Sequence, residues 1–137
     1  MTDVYVLDAC ALIVLLKEEK GCDIVVDIFR DAVNGNLQLC MNRLNLLEVY
    51  YGFFREKGED YAQNLINNVE QSVIKITEFD KTLFQEAGRL KASYKISLAD
   101  AILLAQAIIL NATVVTADHH ELDAIDGREA LSFRWIR

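Results

Sequence analysis

The sequence predicts a three-layer α/β/α domain on a mostly parallel five-stranded sheet, in the order 3-2-1-4-5. Three observations lead there. The first strand, Val4-Tyr5-Val6-Leu7, is apolar at every position, as expected of a strand covered on both faces. Strand-like and helix-like segments alternate along the chain, the pattern of a doubly wound sheet. The longest apolar stretch, Ala99 to Leu110, contains Asp100 and Gln106 and is too short to span a bilayer, so it reads as a buried helix.

After Asp8, residues 9–18 are helix-compatible, and a second helix is expected over 22–33 with Val25, Ile28, Phe29 and Ala32 on one face. Asn34-Gly35-Asn36 signals a turn, and residues 37–41 a short strand. Asn42 can cap a helix to about Glu56, with Leu44, Leu47, Tyr51 and Phe54 as the expected buried stripe. On that phase Tyr50 and Phe53 fall off the stripe and are expected at the surface. Gly58 breaks the chain; Tyr61, Leu65 and Val69 mark the next helix, and residues 73–76 a third strand. Leu83, Ala87, Leu90 and Tyr94 form the stripe of a fifth helix. Ser97 opens the apolar sixth helix, and Asn111 suits a left-handed end. Residues 112–115 are a fourth strand, a short helix follows near Asp118 to Leu122, and alternating Leu131, Phe133 and Trp135 make an edge strand. In the order 3-2-1-4-5, strands one and four are neighbours at the switch point, which brings Asp8 to the Thr116-Ala117-Asp118 turn. No linker composition divides residues 1–137, so they are expected to form one unit.

Composition narrows the function. A net charge of −7 argues against gripping nucleic acid by bulk electrostatics, but not against acids concentrated at a metal site. Three cysteines without C-x-x-C spacing and only two histidines argue against zinc and suit a reducing cytoplasm. No basic leader or cleavage site is visible near the start, and no membrane span.

Four carboxylates stand out, each with an ordinary alternative. Asp8 could cap the first helix, and Asp100 could close a capping box with Ser97. Glu48, beside the apolar stripe, could snorkel, and Asp118 could be a turn residue. Asp8, Asp100 and Asp118 fall on one rim of the predicted sheet, and Glu48, in the helix after strand two, is within reach of it. Converging carboxylates raise one another's pKa unless a hard divalent cation joins them, and Mg²⁺ or Mn²⁺ fit oxygen donors. The implied chemistry is phosphodiester hydrolysis. His119 and His120 are weaker candidates for metal or base, and Cys10 has no expected histidine to activate it as a nucleophile. A phosphorylatable receiver domain shares the architecture, but only Glu78 and Asp80 follow the third strand.

The runs Val6-Leu7-Asp8-Ala9-Cys10-Ala11-Leu12, Leu46-Leu47-Glu48-Val49, Ile96-Ser97-Leu98-Ala99-Asp100-Ala101 and Val114-Val115-Thr116-Ala117-Asp118 together resemble a PIN-domain nuclease, and more narrowly a VapC-type toxin. The resemblance covers nearly the whole chain and is strongest from Glu86 to Asp123. It implies RNA cleavage dependent on Mg²⁺ or Mn²⁺, with Asp8, Glu48 and Asp100 as principal ligands and Asp118 as the fourth acid. It implies that the Thr116 hydroxyl orients Asp118 or a water. It also implies a cytoplasmic homodimer and a small antitoxin whose tail can occupy the site. Cys10 departs from the Ser or Thr frequent two residues after the first aspartate. The acidic balance requires a local RNA surface, for which Arg43, Arg89, Lys91 and Lys95 are the candidates. A catalytically silent module binding a partner peptide is the alternative from another class.

Overall fold

A computed structural model describes residues 2–137, with only the backbone of Glu121. The elements run β1 (Asp3–Leu7), α1 (Ala9–Leu16), α2 (Cys22–Val33), β2 (Leu37–Asn42), α3 (Arg43–Lys57), α4 (Glu59–Glu70), β3 (Lys75–Thr77), α5 (Lys81–Ser93), α6 (Leu98–Leu110), β4 (Thr113–Thr116), α7 (His119–Leu122) and β5 (Ser132–Trp135). The sheet has five strands in the order β3-β2-β1-β4-β5, and every pairing is parallel. The expected order holds, and the expected "mostly parallel" becomes wholly parallel.

β1 is central, and its side chains alternate between two cores. Leu7 joins Leu39, Met41, Val115 and the inner faces of α1 to α4, while Val6 joins Cys40, Val114 and the inner faces of α5 and α6. This double burial is why the strand is apolar throughout, each buried Leu or Val contributing about 1.5–3 kcal/mol. α6 is covered along most of its length, from Asp100 to Ala107. Ser97 caps it by accepting from the Asp100 N–H at 3.1 Å, and Asn111 ends it at φ 52° in the left-handed region.

Polar ties set the register of the layers. Asn42 accepts the Leu44 N–H, which starts α3, and its amide donates to Gln106 of α6 at 3.1 Å. Thr77 at the end of β3 donates to the same Gln106 oxygen at 2.8 Å. One buried glutamine therefore joins the carboxyl ends of two strands to α6.

Two helix phases differ from expectation. In α3 the buried residues are Asn45, Leu46, Val49 and Phe53, while Leu47, Tyr51 and Phe54 are exposed. Phe53 is core, and Tyr50 is half-buried rather than free. α3 is apolar on more than one side, so periodicity could not choose the face; the choice follows from Asn45, whose amide must reach the carbonyl of Ala99. In α4, Ala62, Ile66 and Val69 are buried, Leu65 only partly, and Tyr61 turns outward.

Gly21 starts α2 at φ 99°, and a Cβ there would lie 2.4 Å from the carbonyl oxygen of buried Ile136. Gly21→Ala should therefore cost roughly 2–4 kcal/mol from left-handed strain and overpacking together, a fall on the order of 10 °C in melting midpoint. Gly35→Ala, at φ 79° with no neighbour within 4 Å, meets only the strain and should cost about 1–2 kcal/mol. Thermal denaturation of the two variants checks the difference.

Candidate active site

The carboxyl ends of β1 and β4 meet at Asp8. Its N–H continues the ladder to the Val115 carbonyl at 3.0 Å, and the Ile136 N–H does the same to Thr116 at 3.1 Å. Asp8 occupies the N-cap position of α1, yet its carboxylate makes no cap hydrogen bond of normal geometry. Its Oδ2 instead accepts from the Thr116 hydroxyl at 2.7 Å and from the Cys10 thiol at 3.2 Å. The same Thr116 oxygen accepts the Asp118 N–H at 3.0 Å, so it orients the aspartate of β1 by its proton and the β4 turn by its lone pair. The expected contact of the hydroxyl with Asp118 is present through the Asp118 N–H, and the hydroxyl also holds Asp8. Asp118 in turn caps α7 by accepting from the His120 N–H at 3.2 Å.

Glu48 and Asp100 come from α3 and α6, and one buried amide ties those helices together. Asn45, three residues before Glu48 on the same helical face, donates through Nδ2 to the carbonyl of Ala99, beside Asp100, at 3.1 Å. Its Oδ1 is buried without a hydrogen-bond partner among the described residues. Asn45 was missed in the sequence because an asparagine inside a helix carries no outward sign of what it will face.

Asp8, Glu48, Asp100 and Asp118 line one open cleft of about 610 Å³, with Cys10, Tyr51, Ser97, His120 and Arg137. Asp8 is 6 % and Asp100 7 % exposed, and Thr116 is fully buried behind them. Burial pushes the Asp8 carboxyl above its ordinary 3.8, opposed by the Thr116 and Cys10 hydrogen bonds, with repulsion from Asp118 adding to the rise. Glu48 is raised by burial and then by Asp8, while the Asn45 amide pulls the other way. The Cys10 thiol is pushed up to about 12 by burial and by Asp8, so it is a donor and not a thiolate nucleophile. Among the described residues, no group of three or more His, Cys, Asp or Glu is drawn together tightly enough to hold a metal ion. The acids surround the cleft rather than converge; their donor chemistry, carboxylate oxygen throughout, suits a hard divalent cation.

The expected basic residues lie elsewhere. Arg43 is engaged by Glu78 and Glu70, Arg89 by Glu86 and Glu129, Lys91 by the Ile96 carbonyl, and Lys95 is exposed outside the cleft lining. Arg137 lines the cleft instead. The parallel order carried the signal, because residues following β5 must return to the same rim. His119 bonds Asp123 and the Arg137 carbonyl, each at 2.8 Å, and only His120 of the pair lines the cleft.

Fold and cleft together define a three-layer α/β domain that gathers acids at the carboxyl ends of parallel strands. The PIN domain family profile matches residues 5–128, and the chain belongs to that family. No curated protein shows a matching sequence. Among solved structures the chain is similar to VapBC2 from Rickettsia felis bound to a promoter DNA fragment, with 20% identity over 96% of this chain and 97% of that one and a TM-score of 0.76. It is similar to DNA-bound VapBC from Salmonella typhimurium, with 15% identity over 100% of both chains and a TM-score of 0.75. It is also similar to VapC20 of Mycobacterium tuberculosis, described as a sarcin-ricin loop cleaving toxin, with 13% identity over 88% of this chain and 94% of that one and a TM-score of 0.69.

A carboxyl whose folded pKa is raised binds its proton more tightly folded than unfolded. Its charge therefore destabilises the metal-free fold above that raised value, and the penalty vanishes below about 3.8, where both states are protonated. Asp8→Asn should melt no lower than the wild type at neutral pH without metal, and its advantage should shrink as pH falls toward about 3.8. Melts across pH in a chelating buffer measure it; an advantage that grows toward acid would contradict the sign.

Proposed function

We propose that this PIN domain, residues 1–137, is an endoribonuclease dependent on Mg²⁺ or Mn²⁺ and serves as the toxin of a toxin–antitoxin pair. The carrying observation is the assembly of Asp8, Glu48, Asp100 and Asp118 around one open cleft, with two of them almost fully buried. Burial first, and the neighbouring carboxylates after it, raise the pKa of Asp8 and Glu48. Asp8, Glu48 and Asp100 are assigned as the principal ligands and Asp118 as the fourth acid. A divalent ion bound there would supply an activated water and neutralise phosphate charge during in-line displacement. The chain's own residues contribute positioning: Thr116 and Cys10 fix the Asp8 carboxylate, and Asn45 fixes Asp100 relative to Glu48. The toxin reading draws support from the VapBC complexes and the cleaving toxin among the structural neighbours. The chain is assigned to the cytoplasm, where Cys10, Cys22 and Cys40 remain free thiols, and acts as a homodimer.

An antitoxin needs a surface, and the exposed edge of α3 offers one. Leu47, Tyr51 and Phe54 project from it, Tyr61 projects from α4, and Tyr51 also lines the cleft. A basic amphipathic segment laid along this edge would meet rings first and carboxylates at the end.

Purified protein should cleave structured RNA with Mn²⁺ or Mg²⁺ and lose the activity in EDTA. Asp8→Asn and Asp100→Asn should each reduce cleavage on the order of 100-fold or more while remaining folded. Mn²⁺ at about one hundred times its Kd should stabilise the fold by roughly 2.7 kcal/mol, a rise of several degrees in midpoint. No shift at millimolar metal would remove the premise of the site. For the partner, Tyr51→Ser with Phe54→Ser should weaken antitoxin binding by about tenfold or more. Unchanged affinity in that double variant, measured by calorimetry, would place the antitoxin elsewhere.

A further inference from the structure

Beside the carboxylate cleft, β5 and α7 bring three flat rings into one stack. Phe133 and Trp135, alternate residues of β5, stack at 5.0 Å with their planes 13° apart, and His119 lies on Trp135 at 4.0 Å and 18°. Both His119 nitrogens are engaged, one by Asp123 and one by the Arg137 carbonyl, so the imidazole is held flat against the indole. One His119 face is covered by Trp135, yet its side chain is 45 % exposed, which leaves the opposite face to solvent.

The stack borders the site. Trp135 is the register partner of Thr116, which carries Asp8, and the next residues out, His120 and Arg137, line the cleft. Positive charge is outnumbered in this chain, and Arg30, Arg43 and Arg89 sit in ion pairs. Arg134 and Arg137 differ. They hold only the backbone carbonyls of Trp135 and Lys20, and among the described residues neither is in an ion pair. Residues 130–137 contain these two arginines and no acid. Packing alone would account for Phe133 and Trp135 against the core, but not for a clamped, solvent-facing third ring beside an arginine that is in no ion pair among the described residues.

A ring face beside an arginine at the edge of an open cleft is the chemistry that holds an unpaired nucleotide. We propose that the His119–Trp135–Phe133 stack and Arg137 form a subsite for one unpaired base of single-stranded RNA and its flanking phosphate. The base lies on the open face of His119, and Arg137 meets the backbone as it enters the cleft. The proposal rests on the ribonuclease reading above. It also explains how a chain of net charge −7 holds RNA, by stacking and a single local cation rather than a broad basic face.

Trp135 is the only tryptophan of the chain, so the stack carries its own probe. The full chain with Asp100→Asn, in which cleavage is slowed, is titrated in EDTA with a single-stranded RNA of about ten nucleotides. A matched set, each made abasic at one position, is titrated in parallel. The intact RNA should change the tryptophan emission. One abasic position should abolish that change and weaken binding on the order of tenfold. His119→Ala, which leaves the buried core untouched, should weaken binding similarly. In the cleaving protein it should raise KM with little effect on kcat. Arg137→Gln should reduce the slope of log K against log salt by about 0.7. Uniform binding of the abasic set, or unchanged KM in His119→Ala, overturns the subsite even if RNA is cleaved. Absence of both RNA binding and cleavage by the wild type overturns the ribonuclease reading and the subsite with it.

Discussion

Burying the Asp8 carboxylate to 6 % exposure costs several kcal/mol unless its charge is hydrogen-bonded, and the protein meets that cost across two neighbouring strands. The Thr116 hydroxyl from β4 reaches Oδ2 at 2.7 Å, and a hydrogen bond to a charged group of this kind contributes about 1.5–3 kcal/mol. The bond exists only because β1 and β4 are adjacent and parallel with Leu7 opposite Val115. Strand order, register and the chemistry of the rim are therefore one constraint. A slip of one residue would carry the Asp8 carboxylate into the core position of Leu7, away from the Thr116 hydroxyl.

The two cores follow from the same arrangement. Because β1 is covered on both faces, α6 must lie flat along one side, and its amino end stops at the rim with Asp100 in its first turn. Negative charge is favoured there by the helix dipole. Polar ties then remove the remaining freedom, Gln106 against β2 and β3, and Asn45 against the start of α6. Asn45 makes the dependence plain: its amide on the Ala99 carbonyl ties the helix of Glu48 to the start of the helix of Asp100.

Charge is distributed by the same logic. Buried acids are gathered where burial raises their pKa, while Arg30, Arg43 and Arg89 are paired with carboxylates away from the cleft. One arginine, Arg137 from beyond β5, lines the cleft, with a stack of rings beside it. An acidic chain can in this way present a mixed surface at one place only.

The sequence by itself determined the strand order, the central place of β1, the capping of α3 and α6, and the gathering of four acids at one rim. Each of these follows from a local pattern: unbroken apolarity, Asn42 or Ser97 before a helix, and alternation that admits few topologies. Only the tertiary structure decided the phase of α3, which buried Phe53 and exposed Tyr51 and Phe54. It also decided that Thr116 serves Asp8, that Arg137 and not Arg43 or Arg89 reaches the cleft, and that His119 lies on Trp135. These are contacts between residues distant in the chain, chosen by which neighbour a side chain meets. A helix apolar on two sides, or an arginine on a long flexible stem, holds no record of that choice until the layers have packed.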